Sequence, residues 1–424
     1  MERPSSQTLC SAISNAYAAL LLSLFFLYLP PGGYSSMMEG KYRLFLLLAG
    51  SYLLAMLALQ AWRTLLPFRP MDLAALAYFG FTLLSALLSP YGSAVLFGGT
   101  RKDGLLTIFL YLMSFLFLSR YLRPGRKLFY LAVFSTVLCD LLVLLQLAGK
   151  NPLALYPSEM TYFDGDISYI GFYAGTSGNI DFTAFLLALS ACCMMAALLR
   201  GHSPLLCFPL LLTLFVLWQL GVSGPLLGLS VSATLSLPLL LEKHKKLAWI
   251  LTGTLCVAAV LFVFFYTGTN QTLREASQVL HGTVKDSFGS GRVAIWRDLI
   301  PLISERPLLG GGCGTLYLRG LEPFYWSGNG GVIPVAITSA HNEYLGILTD
   351  QGLLALLSFL LLCALALHRC CQNAHSRHMA VCAAVLLCYL IQACFSVSTC
   401  ITAIYLWLLL AVISVDAQPA ASPP

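Results

Sequence analysis

Twelve apolar runs, each close to the length of a membrane crossing, divide this chain and leave little room for any other architecture. A helix needs roughly 20 mostly apolar residues to cross the hydrocarbon core, and inside it the backbone must satisfy its own hydrogen bonds. The runs fall at about 13–30, 43–62, 71–89, 104–121, 127–148, 179–199, 204–221, 224–241, 247–267, 342–367, 378–396 and 398–415. With 58% apolar and 10% charged residues, against about 25% charged in soluble domains, the chain reads as an all-α polytopic membrane protein. The first run starts too late and is too long for a signal peptide, and reads as a retained anchor.

Basic residues in short loops set the orientation, because Lys and Arg resist translocation. With the N-terminus inside, the inner segments hold Arg3, Arg63, Arg69, Arg120, Arg123, Arg126, Lys127, Arg200, Lys243, Lys245, Lys246, Arg369 and Arg377. The short outer loops hold only Lys41, Arg43, Arg101, Lys102 and Lys150. Both termini are therefore expected in the cytoplasm. This asymmetry accounts for the net charge of +6, so no nucleic-acid partner is called for. Most of the 14 cysteines lie in or beside the apolar runs, where Cys acts as a small buried hydrophobe. Cys313 alone sits well inside an outer loop, and no spacing proposes a metal site.

Three parts follow: a bundle over 1–267, a long outer loop over 268–341 and closing helices over 342–424. A second outer segment, 149–178, carries Glu159, Asp164 and Asp166. Loops this long are usually functional or disordered. Within the longer one, GSGRVAIWRDLIPLISERPLLGGG predicts a short amphipathic helix with Ser290 as N-cap, ended by Pro307 and Gly310 to Gly312. Arg292 falls in its first turn, where a cation opposes the helix dipole unless an anion lies between them. The arginine is either an anion clamp or an ordinary solvated side chain. The glycines lack the Lys-Ser/Thr of a P-loop.

TSAHNEYLGILTDQGLLALLSF, at 338–359, puts His341, Asn342 and Glu343 at the outer mouth of the tenth run. Histidine suits proton handling near neutral pH, and its neighbours are placed to orient it or to bind hydroxyls. Plain capping of an interfacial helix is the other reading. Asp140, mid-span, reads as a hydrogen-bonded structural carboxyl or a proton site. Trp296 and Tyr344 read as interfacial anchors.

In their order, FGSGRVAIW, ERPLLGGGCGTL and AHNEYLGILTDQGLLALLSF (about 288–359) resemble the O-antigen ligase and polymerase superfamily. These are bacterial membrane proteins that move glycans from polyprenyl-pyrophosphate carriers. Weaker echoes are LFGGTRKDGLL (97–106) and GTSGNIDFTAFL (175–186), which contains Asn179 and Asp181. The resemblance implies a metal-independent, inverting glycosyltransferase of the inner (plasma) membrane. It would take a glycan from undecaprenyl pyrophosphate to an acceptor hydroxyl outside the cytoplasm, with no cofactor. His341 would activate or orient the acceptor, and Arg292 would hold the pyrophosphate. The acceptor would be a glycan, a lipid or a protein.

The sequence departs from the family pattern at three places. Ser339 stands where a second histidine is common, Gly224 and Pro225 stand near a usual arginine, and Asp181 replaces an asparagine. Arg101, Lys102 and Arg297 are the candidates for the missing phosphate contact. A transporter or flippase of lipid-linked glycans would favour repeated halves and broken helices, and a noncatalytic scaffold would make the Arg292 and His341 motifs a coincidence.

Overall fold

The computed structural model describes residues 6–156, 174–321, 323–328 and 331–415, so Glu159, Asp164 and Asp166 lie outside the described residues. Its apolar helices number twelve among those residues: eight long enough to cross a bilayer and four shorter ones. In chain order the helices are α1 (Ser6–Leu20, continued by a π turn, Leu21–Phe25), α2 (Met37–Ala58), α3 (Pro70–Leu87), α4 (Ala94–Phe97) and α5 (Leu105–Tyr121). Then come α6 (Arg126–Leu147), α7 (Ile180–Leu199), α8 (Cys207–Leu220), α9 (Ser223–Leu240) and α10 (Lys245–Phe264). The long loop adds α11 (Gln271–Leu280), α12 (Arg292–Glu305) and an antiparallel hairpin of β1 (Phe324–Gly328) and β2 (Gly331–Val335), which the all-α expectation lacks. The chain closes with α13 (Glu343–Gln372), α14 (Arg377–Ala393) and α15 (Ala403–Ser414).

Each of the twelve runs has become one helix, with shifted ends. The second begins at Met37, six residues before the expected start, because Lys41 is buried inside it. Its ammonium donates to the carbonyls of Phe25 (2.8 Å) and Phe26 (3.0 Å), at the end of the preceding π turn. Lys41 is thus a helix residue tying two spans together, not a loop charge.

The basic residues assigned to the inner side gather at one end of the bundle. Arg69 donates to the Ser119 and Ser414 carbonyls, and Arg369 to those of Ile413 and Val415. Arg200 bonds the Ala374 and His375 carbonyls and pairs with Glu242. Arg120 pairs with the fully buried Asp72, which also caps α3 by accepting from the Arg69 amide. Most of these cations sit over exposed helix C-termini, the favourable end of the dipole.

The loop docks at the opposite end by filling a break in α13. Gly352 has φ 86° and ψ 176°, which interrupts the helix. The freed amides of Leu353 and Leu354 donate to Pro307 and Leu308, and the freed carbonyls of Thr349 and Asp350 accept from Gly311 and Gly312. Arg319, 5% exposed at the side chain, locks the joint by bonding the Thr349 carbonyl (2.7 Å) and pairing with Asp350 (2.9 Å). A broken span is tolerated in a membrane only where its backbone groups find such partners. A side chain at 352 would drive its Cβ into the Leu308 carbonyl oxygen, in a backbone region that already disfavours it.

Gly352→Ala should therefore destabilise the protein by about 1–3 kcal/mol, the order of a strained backbone position, and lower its thermal unfolding midpoint in detergent. An unchanged midpoint would show that the joint does not hold the loop.

Candidate active site

Three helix starts and the loop helix meet at this docked end. Asn179 caps α7 by accepting from the amides of Asp181 (2.8 Å) and Phe182 (3.2 Å). Asn342 caps α13 by accepting from Leu345 (3.0 Å). In both cases the side-chain oxygen expected to bind substrate is engaged by the backbone, the usual work of an N-cap asparagine.

α12 starts one residue later than its sequence suggests. Gly291, at φ 83°, is the N-cap, and Ser290 precedes it in a left-handed conformation of its own. Arg292 is thereby the first helical residue. Its Nη1 donates to the Gly289 carbonyl (3.0 Å), while its buried Nε has no hydrogen-bond partner among the described residues. Leu299 of the helix packs with Leu316 and Ala340, so α12 lies against the start of α13. The Trp296 indole completes the attachment by donating to the Ala340 carbonyl (2.9 Å), next to His341. Trp296 is thus a tether between the arginine helix and the histidine, beyond the interfacial role expected of it.

His341 has φ 48°, an uncommon conformation for a residue with a side chain. Burial is the main cause that lowers its imidazole pKa to about 4, and the nearby cations of Arg292 and Arg101 push the same way. The same two guanidinium groups act on the Asp181 carboxylate at the start of α7. Arg292, Arg101, Asp181 and His341, drawn from four separate segments, therefore share one electrostatic neighbourhood.

Beside it lies a cavity of about 60 Å³, whose lining includes Arg101, Asp103, Ser339, Asn342, Glu343 and Ser398. A space this size admits hydroxyl groups or a few waters, not a whole sugar. Glu343 is buried, its carboxylate accepting from the Tyr389 hydroxyl (3.1 Å). Asp103 Oδ1 and Ser339 Oγ are buried with no hydrogen-bond partner among the described residues. Burial raises the Asp103 pKa to about 6, partly offset by a hydrogen bond from Ser398. Asp103 escaped the sequence reading, although it stands two residues from Arg101 in LFGGTRKDGLL. Its signal was a lone carboxyl between two cations and a helix start. The turn that presents it packs backbone to backbone on the loop: a Cβ on Gly314 would fall 2.5 Å from the Gly98 Cα.

The other predicted contacts fall elsewhere. Lys102 pairs with Glu39 (3.1 Å) and lies over the Tyr42 ring. Arg297 is exposed and paired with Asp286 (2.6 Å) and Asp298. Of the three candidates for a second phosphate contact, only Arg101 reaches the neighbourhood of His341. Asp140 is hydrogen-bonded by the Thr213 hydroxyl (2.6 Å) deep between α6 and α8, away from this site.

A helical membrane bundle whose long loop folds back into a broken span, setting two arginines near a half-buried histidine, defines a polytopic membrane protein with a charged site at one end. Residues 208–360, from α8 into α13, match the family model described as O-antigen ligase. The match supports membership of the O-antigen ligase and polymerase superfamily, as the motif order implies. No curated protein matches the chain.

His341 should ionise near pH 4 when its ring is followed by NMR in histidine-labelled protein, and Arg292→Ala should move the value up towards the ordinary 6.5. Since the folded-state pKa lies below the unfolded one, this group costs stability as pH falls from about 6.5 towards 4. A ring titrating at 6.5 in the intact protein would contradict the site as described.

Proposed function

We propose that the chain is a glycosyltransferase of the O-antigen ligase type. It would transfer a glycan from a polyprenyl pyrophosphate, undecaprenyl pyrophosphate in bacteria, to an acceptor hydroxyl. The observation that carries this reading is the convergence of Arg292 and Arg101 on His341, next to a hydroxyl-sized polar cavity. Two half-buried arginines, with the Arg292 Nε left unpartnered among the described residues, favour a di-anion beside them.

In this scheme Arg292 and Arg101 bind the pyrophosphate. The acceptor oxygen forms a bond to the anomeric carbon from the face opposite the leaving group. The bond from that carbon to the phosphate oxygen breaks, and polyprenyl pyrophosphate departs with the electron pair. The arginines oppose the negative charge as it grows on the leaving group, where preorganised donors are most effective.

His341 is neutral at physiological pH and presents a nitrogen lone pair that orients the acceptor hydroxyl. Between two guanidinium groups it is a weak base. Asp103, which lines the adjacent cavity and titrates near 6, is better suited to hold the proton that the hydroxyl releases. The reaction thus uses pyrophosphate as its leaving group and proceeds without a metal ion. The basic end of the bundle would face the cytoplasm, with both termini, and the site would face outward.

The flippase alternative draws on the break in α13, since broken spans often line transport paths. Here the backbone groups freed by the break are hydrogen-bonded to the loop backbone of Pro307 to Gly312.

Arg292→Ala and Arg101→Ala should each lower glycan transfer by about 10²-fold or more, measured with purified enzyme and a polyprenyl-pyrophosphate glycan, while insertion is unchanged. His341→Ala and Asp103→Asn should fall in the same range, and Arg297→Ala should stay near wild type. Activity should survive EDTA. Full transfer by the Arg292 and His341 variants, or loss in EDTA restored by magnesium, would overturn the mechanism.

A further inference from the structure

A cavity far larger than the one beside His341 lies elsewhere in the bundle. A groove of about 450 Å³ opens at the opposite end, between α1, α6, α7, α14 and α15. Its walls are almost wholly apolar, with Leu22, Phe26, Val133 and Leu186 among them. Its mouth is formed by Arg126, at the start of α6, with His202 and His378. Its inner end reaches Tyr389, whose hydroxyl on the far side bonds Glu343 of the candidate active site.

From these features we propose that the groove binds one anionic glycerophospholipid, its acyl chain inside and its phosphate at the Arg126 mouth. Three observations support this occupant. Within a bilayer, an apolar space of this size between spans is filled by hydrocarbon, and its volume lies in the ordinary range for a ligand pocket. No acidic residue lines the groove, so its mouth carries only positive or neutral groups.

The neighbouring charge is also uncompensated. Arg123, Arg126 and Lys127 are all exposed, and none has an ion-pair partner among the described residues. Juxtamembrane basic clusters of this kind attract anionic lipid headgroups.

The donor's own tail is a less fitting occupant. Its pyrophosphate would be held by Arg292 and Arg101 at the other end of the bundle, which leaves the Arg126 mouth without its anion. The inference therefore adds a second lipid site and does not require the transfer reading to hold. Tyr389 forms the wall between the two, so occupancy would also brace the helix that holds Glu343.

The test is native mass spectrometry with lipid extraction on the full chain, purified in mild detergent. Phosphatidylglycerol should be retained at about one per protein and enriched over phosphatidylethanolamine relative to the source membrane. Arg126→Ala should lose the enrichment at least severalfold, and Ala132→Phe, which fills the groove, should lose the lipid. Should the filled variant not fold, delipidated wild type supplies the second measurement: phosphatidylglycerol should raise its unfolding midpoint and phosphatidylcholine should not. Bound lipid with the composition of the bulk membrane, retention unaltered in Arg126→Ala, or a polyprenyl species in place of phospholipid would each overturn the proposal. Glycan transfer by the Arg126→Ala protein would be measured alongside, so that failure of the lipid site and failure of the transferase reading are told apart.

Discussion

The joint between the broken tenth span and the loop is the constraint on which the rest depends. A membrane helix that stops at Gly352 exposes amides and carbonyls that cannot be left unpaired in hydrocarbon, at a cost of several kcal/mol each. Residues 307 to 312 supply complementary groups in both directions, so helix and loop complete each other. Arg319 and Asp350 then fix the seam from the side. Breaking one partner of such a buried pair costs far more than the pair contributes to stability, because the other charge is stranded. That makes the seam a device for positioning: it holds the loop in one register against α13, and α12 and His341 are carried with it.

From that register the electrostatics of the site follow. Arg292 is fixed at the start of α12, Trp296 ties the helix to the Ala340 carbonyl, and His341 is forced into a left-handed turn before the Asn342 cap. Arg101 arrives from a different loop, whose turn rests on the Gly314 backbone. Cations placed at helix N-termini, in surroundings poorer in water than bulk, have no favourable dipole to lean on. Under the proposed transfer reading, a polyanion between them would make the arrangement favourable. A strained backbone at His341, held by packing on both sides, is the kind of local cost that a functional site tolerates.

The sequence was informative where the physics is one-dimensional. Hydrocarbon thickness fixes run length, so all twelve helices could be read, and the motif order marked Arg292 and His341. What it withheld depends on three-dimensional partners. The choice of Arg101 over Lys102 and Arg297 turned on Glu39 and Asp286 drawing the latter two away. That Asn179 and Asn342 cap α7 and α13 was not legible, because capping and binding use the same side-chain amide. Lys41 looked like a loop charge because its carbonyl partners lie 15 and 16 residues earlier, at a π turn no periodicity marks. The break at Gly352 left one trace, an isolated glycine in DQGLL, and a glycine inside an apolar helix can serve close packing as readily as a break.

Four arginines of the basic end fasten helices, while two at the other end act on a histidine and a carboxylate. At the basic end Arg69, Arg200 and Arg369 are spent on helix C-terminal carbonyls, and Arg120 on a buried carboxylate. These charges are structural and have little capacity left for a ligand. At the other end the Arg292 Nε is unpartnered and the field of both arginines falls on a histidine and a carboxylate. A buried nitrogen left without a partner costs free energy, and an anion beside the Arg292 Nε would recover it. The bundle thus uses one set of arginines to fasten its helices and sets two others beside His341 and Asp181.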